Sequence, residues 1–534
     1  MRCFRVLATC AVLGGVSLAT GALAQGTESP PVAATRHGPV RGSQDSGIRV
    51  FKGIPYGAPT GGQNRFRAPQ LPPSWTQPRD ATHYRPRCPQ LPDPPHVDAD
   101  EHSQADVSPM SEDCLTLSVW TPGLRDGRKR PVMVWLHGGG YSVGSGNSPV
   151  NDGVRLARRG DVVVVSVNHR LNVFGYLYLA DIGGADFADS GNAGQLDIIA
   201  ALKWVRDNIT EFGGDPQRVL VFGESGGGGK VGTLLAMPAA QGLFQRAAMQ
   251  SGFAVTVNTR ERSNAFAKDL MNALGLGPTQ ASQLRRLDVQ QILDAFNKVT
   301  GGSPILINPV VDGRNLPRHP FTPGAPVISA NVPLIVGYNA TETTVLFPPP
   351  GVFDLDWPGL ERQLKSELPD ADVGKLISEM RQLRPKATAS DLYFFITTER
   401  GMGANAGIVA TRKTALGGAP VFMYRLVWPT PVLGGKMRTP HGLDVPLVFD
   451  NVAAAKSQVG SDTFGPQKVA EAMSSAWIAF ARTGSPNGPG LANWPVFSPT
   501  VRPVMTFDTT SRAIEDPLRR EHQVLAPYLP APSP

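Results

Sequence analysis

A glycine-rich run at positions 219–230, VLVFGESGGGGK, limits this chain more than any other stretch. Two local structures use such letters, and they serve different chemistry. A phosphate-cradling loop needs Gly, four residues, then Gly-Lys-Ser/Thr. Counting back from Gly229-Lys230 puts Glu224 where the first glycine belongs, a carboxylate in place of a phosphate contact. Val231 stands where a magnesium-binding hydroxyl belongs. The other structure is Gly-x-Ser-x-Gly, here Gly223-Glu224-Ser225-Gly226-Gly227, a sharp strand-to-helix turn that exposes a serine hydroxyl. Residues 219–222 suit a buried strand, and residues 230–237 can continue as a helix. The pentapeptide carries weight only if the serine has partners.

The surroundings repeat the strand signal. Apolar runs at 132–136, 162–167, 219–222, 334–336 and 421–426 are continuous rather than alternating, which predicts a sheet covered on both faces. Ile198, Ala201, Leu202, Val205 and Ile209 share one face of a helix that Gly213-Gly214 stops, with Pro216 just beyond. Strand, helix, strand in that order reads as a right-handed parallel crossover. The fold class is α/β: a large, mostly parallel central sheet flanked by helices, with Pro-rich loop and helical insertions after residue 251.

A serine hydroxyl needs a base to take its proton and a third group to orient that base. In the chain order of this turn the base lies well after the serine, which leaves His319, His441 and His522. His319 is confined between Arg318 and Pro320, and His522 lies in the charged stretch RREHQ. His441, in the loop TPHGLD after the run 421–426, is the expected base. Glu342, in a polar turn after the run 334–336, is the expected acid; Asp312 in VVDG is the runner-up, although Asp-Gly also makes a good turn. Asp444 reads as a cap for the next segment. The loop WLHGGGY follows the run 132–136, and its glycines let backbone N–H groups converge on a developing oxyanion. This chemistry needs no cofactor and no metal.

The ends and the charge set the surroundings. Residues 1–24 read as a signal peptide: Arg2 and Arg5, an apolar stretch broken by glycines, then Ala22-Leu23-Ala24 as a cleavage site. The expected mature chain is one domain, 25–534, secreted or periplasmic, with no later segment apolar enough to span a bilayer. It keeps two cysteines, Cys88 and Cys114. In an oxidising compartment these would pair and stabilise the fold by on the order of 3 kcal/mol. The formal charge of +7 is dispersed, without the basic stripe of a nucleic-acid binder. The acidic run 93–113 carries His96 and His102; a solvated loop outweighs a cation site there.

Taken together, these motifs resemble the type-B carboxylesterase and cholinesterase family of α/β-hydrolases. The likeness covers most of the mature chain: IRVFKGIPYGAP, RFRAPQ, SEDCLTLSVWTP, VMVWLHGGGY, VVVVSVNHRLNVFGYL, GNAGQLD, the helix and elbow, MQSG, GYNATE, PHGLD and SAWIAFARTGSPN. The resemblance implies an α/β-hydrolase fold and a serine esterase acting on small-molecule esters, with Ser225 as nucleophile, Glu342 as acid and His441 as base. It also implies Gly139, Gly140 and Gly226 as oxyanion donors, a Cys88–Cys114 disulfide and an Arg65–Glu112 ion pair. Two positions depart from it. Gly226 stands where alanine is usual, and Thr343 where glycine often follows the acid. Between Cys88 and Cys114 there is no aromatic residue, so the choline-binding tryptophan of the cholinesterases is missing. Carbamate or amide hydrolysis by the same triad is one alternative, and a non-catalytic binding or adhesion protein on the same fold is another. Gly228 and Gly229 have no assigned role; one reading is that they open space at the helix start for a bulky acyl group. The sequence leaves the oligomeric state open.

Overall fold

The computed structural model describes residues 1, 29–92, 106, 108–303, 307–346 and 348–529. The expected signal peptide, nearly all of it, and the acidic stretch 93–105 lie outside the described residues. Strands are numbered in chain order: β1 (Val32–Thr35), β2 (Gly38–Arg41), β3 (Ser43–Asp45), β4 (Ile48–Pro55), β5 (Arg79–Asp80), β6 (Thr116–Thr121), β7 (Arg130–Leu136), β8 (Val163–Val167), β9 (Gly214–Glu224), β10 (Arg246–Gln250), β11 (Leu334–Asn339), β12 (Val421–Leu426), β13 (Pro503–Phe507) and β14 (Arg512–Glu515). Eleven form one sheet in the order β14-β13-β12-β11-β10-β9-β7-β8-β6-β4-β3; β1, β2 and β5 form a small second sheet. From β13 through β8 the neighbours run parallel. The margins, β14 on one side and β6, β4 and β3 on the other, are antiparallel.

The continuous apolar strands have the predicted cause. Along β7, Val132, Val134 and Leu136 point into a core shared with Ile198, Leu202 and Val205 of the helix Ala193–Asn208. Met133 and Trp135 point the other way, into a core shared with Trp477 and Phe480 of the helix Phe464–Thr483. Each such side chain, fully buried, contributes about 1.5–3 kcal/mol. Every expected strand is present, and β12 has its expected limits. β9 is longer than expected: it starts at Gly214, where a register shift lets it reach Arg130 of β7. The helix Ala193–Asn208 closes through a 3-10 turn onto Gly213, at φ 70°. It joins β8 to β9 by passing over β7, which lies between them.

After residue 251 the chain builds helices with their own cores. One gathers Leu270, Met271, Ile292 and Phe296 with Phe174; another gathers Leu360, Leu376, Met380 and Phe394 with Leu525. Cys88 and Cys114 are bonded, with Cα atoms 5.1 Å apart. Five neighbouring strands, β12-β11-β10-β9-β7, end side by side. The loops that leave their carboxyl ends carry the predicted site residues, the place where open α/β sheets bind ligands.

Candidate active site

Ser225 follows β9 directly and sits at φ 54°, ψ −125°. A non-glycine residue there costs on the order of 1–3 kcal/mol. The turn is clamped from both sides: Ser225 N donates to Gln250 O at 2.8 Å, and Gly229 N donates to Ser225 O at 3.0 Å. The helix Gly226–Leu234 begins immediately, earlier than the expected residue 230. Its glycines let other backbones come close. A side-chain carbon on Gly226 would lie 1.9 Å from Gly140 O, one on Gly227 2.0 Å from Leu136 O, and one on Gly228 2.6 Å from Gly252 O. At Gly229 the neighbour is the Tyr141 hydroxyl, at 2.8 Å. Gly228 and Gly229 therefore let the elbow pack closely against Gly252 and Tyr141.

Glu342 opens a 3-10 turn after β11 and is fully buried. Its Oε2 receives His441 Nδ1 at 2.5 Å, and its Oε1 accepts from Ser251 Oγ at 2.7 Å and Asn339 N at 2.6 Å. His441 comes from the loop between β12 and the helix Asp444–Val448. Its other nitrogen, Nε2, stands 3.2 Å from Glu224 Oε1. The imidazole thus lies between two carboxylates, and among the described residues no hydrogen bond joins it to Ser225 Oγ. Such contacts are often long or misaligned before substrate binds. Burial disfavours the imidazolium, but Glu224 and then Glu342 outweigh it and hold His441 up at about 9. Burial also pushes Glu224 up to about 8, against the pull of His441, with Asp444 and Glu342 adding to the rise.

The loop after β7 lies across the elbow. Gly139 and Gly140 take φ 78° and 60°, which a side chain would resist. Three successive carbonyls of this loop are held from behind. His137 O accepts from Lys230 Nζ at 2.9 Å, and Gly138 O from His137 Nδ1 at 2.9 Å. Gly139 O accepts from Ser142 N and Val143 N, at 3.2 and 3.1 Å. A trans peptide points its N–H opposite to its C=O, so the N–H groups of Gly139 and Gly140 turn away from these anchors. With that of Gly226 they have no protein acceptor among the described residues.

Several residues near the site carried no functional reading from sequence. Glu224 had served only to exclude a phosphate loop. Ser251, at φ 48° just past β10, donates to Glu342 Oε1; its sequence signal is its place in the MQSG motif. Asp444 is no helix cap. It is fully buried and accepts from Gln250 Nε2 at 2.9 Å and the Tyr424 hydroxyl at 2.7 Å. The competing residues lie elsewhere: Asp312 receives the backbone N–H groups of Arg314, Asn315 and Leu316, the expected turn. His319 Nδ1 accepts from Val257 N, and His522 pairs with Glu399 at 3.0 Å. Arg65 grips Glu112 through two nitrogens, at 2.7 and 2.6 Å. Among the described residues no cluster of His, Cys, Asp and Glu could hold a metal ion, and no helix is long and apolar enough to cross a membrane.

The model of the carboxylesterase family matches residues 29–525. The chain is 34% identical over 506 residues to the para-nitrobenzyl esterase of Bacillus subtilis (strain 168), covering 93% of this chain and 98% of that protein. It is 32% identical to a liver carboxylesterase of Sus scrofa, with 88% of each chain covered. The crystal structure of a carboxylesterase from Geobacillus stearothermophilus superposes with a TM-score of 0.79 at 34% identity, covering 92% of this chain and 99% of that one.

Proposed function

The chain belongs to the carboxylesterase family of α/β-hydrolases, and from that premise we propose that Ser225, His441 and Glu342 carry out its ester hydrolysis by acyl transfer. It is a carboxylic ester hydrolase. In the proposed first step Ser225 Oγ attacks the ester carbonyl while His441 Nε2 takes the hydroxyl proton. Glu342 keeps the remaining proton of His441 on Nδ1 and favours the imidazolium that forms. The N–H groups of Gly139, Gly140 and Gly226 receive the tetrahedral oxyanion. His441 then protonates the leaving alcohol, and water, activated by the same imidazole, releases the acid.

The observation that supports this most is the His441–Glu342 contact at 2.5 Å, made by residues from two different strand ends beside the strained Ser225. Each oxyanion donor is expected to supply about 10²–10³ in rate. Ser225→Ala tests the reading: turnover of an aryl ester is expected to fall below about 10⁻² of wild type. A variant retaining more than that would contradict it.

We further propose that residues 1–24 direct export and are removed, leaving one domain, 25–534, in which Cys88 and Cys114 are oxidised. N-terminal sequencing of the exported protein should begin at Gln25. A mature protein that keeps Met1 would overturn this.

A further inference from the structure

Lys230 has no part in the reaction as written, yet it lies at the heart of the elbow helix. Its side chain is fully buried. Among the described residues the ammonium makes no ion pair, and its hydrogen bond goes to His137 O. Lysine is almost never buried without a charged partner, because desolvating an ammonium costs several kcal/mol. Burial draws Lys230 down to about 7, and the charge of Glu224 opposes that fall. Its neighbours give little relief. The rings of His137 and His169 stack at 4.7 Å, each committing Nδ1 to a backbone carbonyl. Both are kept neutral, first by burial and then by Lys230 itself. The Tyr141 ring offers only its face, 5.8 Å away. An apolar chain of similar length would suit such a place better. The nitrogen is kept at a cost in stability, and its bond shows what it does.

That bond holds the first peptide of the glycine loop. His137 O points at Lys230, which fixes how His137 meets Gly138 and places Gly138 O where the His137 ring can donate to it. The next two peptides carry the N–H groups of Gly139 and Gly140. Their aim depends on a chain of carbonyl anchors, and Lys230 is the base of that chain. In both its charged and neutral forms the nitrogen keeps an N–H to donate. We propose that Lys230 is a positioning residue for the oxyanion site, tying the loop after β7 to the helix that Ser225 starts, so that the donors are aimed before substrate arrives. The inference rests on the oxyanion role proposed above for these glycines.

The test uses the full-length enzyme and two ketones of one skeleton, a trifluoromethyl ketone and its methyl analogue. Ser225 Oγ adds to the activated carbonyl carbon, its proton passes to His441, and the carbonyl π pair becomes the oxyanion. Lys230→Met is expected to lower kcat by about 10- to 100-fold, with KM within about threefold. The trifluoromethyl ketone should weaken by the same factor as kcat, and the methyl ketone should not. Lys230→Gln, which keeps a donor one bond shorter, should recover part of the loss. A purely structural lysine would lower thermal stability and leave kcat and the ratio of the two affinities unchanged, and that result would overturn the inference. Wild-type enzyme offers the same reading without any substitution. In lysine ¹⁵Nζ spectra the trifluoromethyl ketone should move one buried lysine signal and the methyl ketone none; no movement would also overturn it. If the trifluoromethyl ketone fails to bind wild type at all, the serine mechanism falls, and not the role of Lys230 alone.

Discussion

At the scale of single residues, the imidazole of His441 has two acidic neighbours with opposite consequences. Glu342 holds Nδ1 and orients the ring, while Glu224 faces Nε2, the nitrogen that must be free to take a proton. Only neutral His441 can act as the base. With its pKa held up at about 9, the active form grows as pH rises toward that value. Glu224→Gln removes the largest single charge that pulls it upward. The ascending limb of kcat/KM against pH should then move down by about one unit or more, read with an aryl ester between pH 5 and 10. A limb that stays in place would show that Glu224 does not govern His441. The proposed serine, base and acid could all be named from the sequence, because chain order and strand ends constrain them. Glu224 was legible only as a misfit in a phosphate loop. Nothing in its neighbours in sequence says that the turn at Ser225 throws its carboxylate toward a histidine 217 positions later (441 − 224). Ser251 and Asp444 were missed for the same reason: their partners come from other strands.

At the scale of elements, the elbow helix and the glycine loop are fitted to each other with no room to spare. The strand runs, the crossover helix and the end of that helix at Gly213 followed from periodicity, since burial on one or two faces dictates the pattern. The start of the elbow helix did not. Four glycines predict weak helix, yet Gly226–Leu234 is helical because close backbone approach at Gly226, Gly227 and Gly228, and the Tyr141 hydroxyl at Gly229, replace side-chain packing. Gly226 is the tightest case. An added methyl group would meet Gly140 O at 1.9 Å, so alanine, the usual family residue, requires the loop to shift here. Gly226→Ala is expected to lower kcat about tenfold or more, as expected when one oxyanion donor is misaimed. Binding of a substrate-like ester should change little. An unchanged kcat would mean that the loop yields without moving its N–H groups from their task.

At the scale of the whole molecule, the helical insertions are fastened to the sheet by buried polar clamps. Arg65, in the loop after β4, holds Glu112 with two nitrogens and also donates to Leu284 O and Leu287 O, each near 2.7–2.8 Å. The entry segment, the disulfide loop and the helical insertion near residue 284 thus meet at one guanidinium. The resemblance to the family supplied the ion pair; the two carbonyls, more than two hundred positions away, were beyond any reading of the sequence. Arg65→Met leaves Glu112 and both carbonyls short of a donor in a mostly dry setting, at a cost of about 3–5 kcal/mol. Calorimetry should show a clear fall in Tm while the activity of the folded fraction persists. A Tm within a degree of wild type would show that water replaces the clamp at no cost.

In the proposed mechanism a hydroxyl at the turn after β9 becomes acylated, and a fluorophosphonate ester probes that hydroxyl. Ser225 Oγ would displace fluoride and keep the phosphonyl group, which peptide mass spectrometry can place. One adduct per chain is expected, on the peptide carrying Ser225, formed in step with the loss of esterase activity and suppressed in His441→Ala. Full inactivation with the adduct on another residue, or full labelling of Ser225 that leaves activity intact, would contradict it.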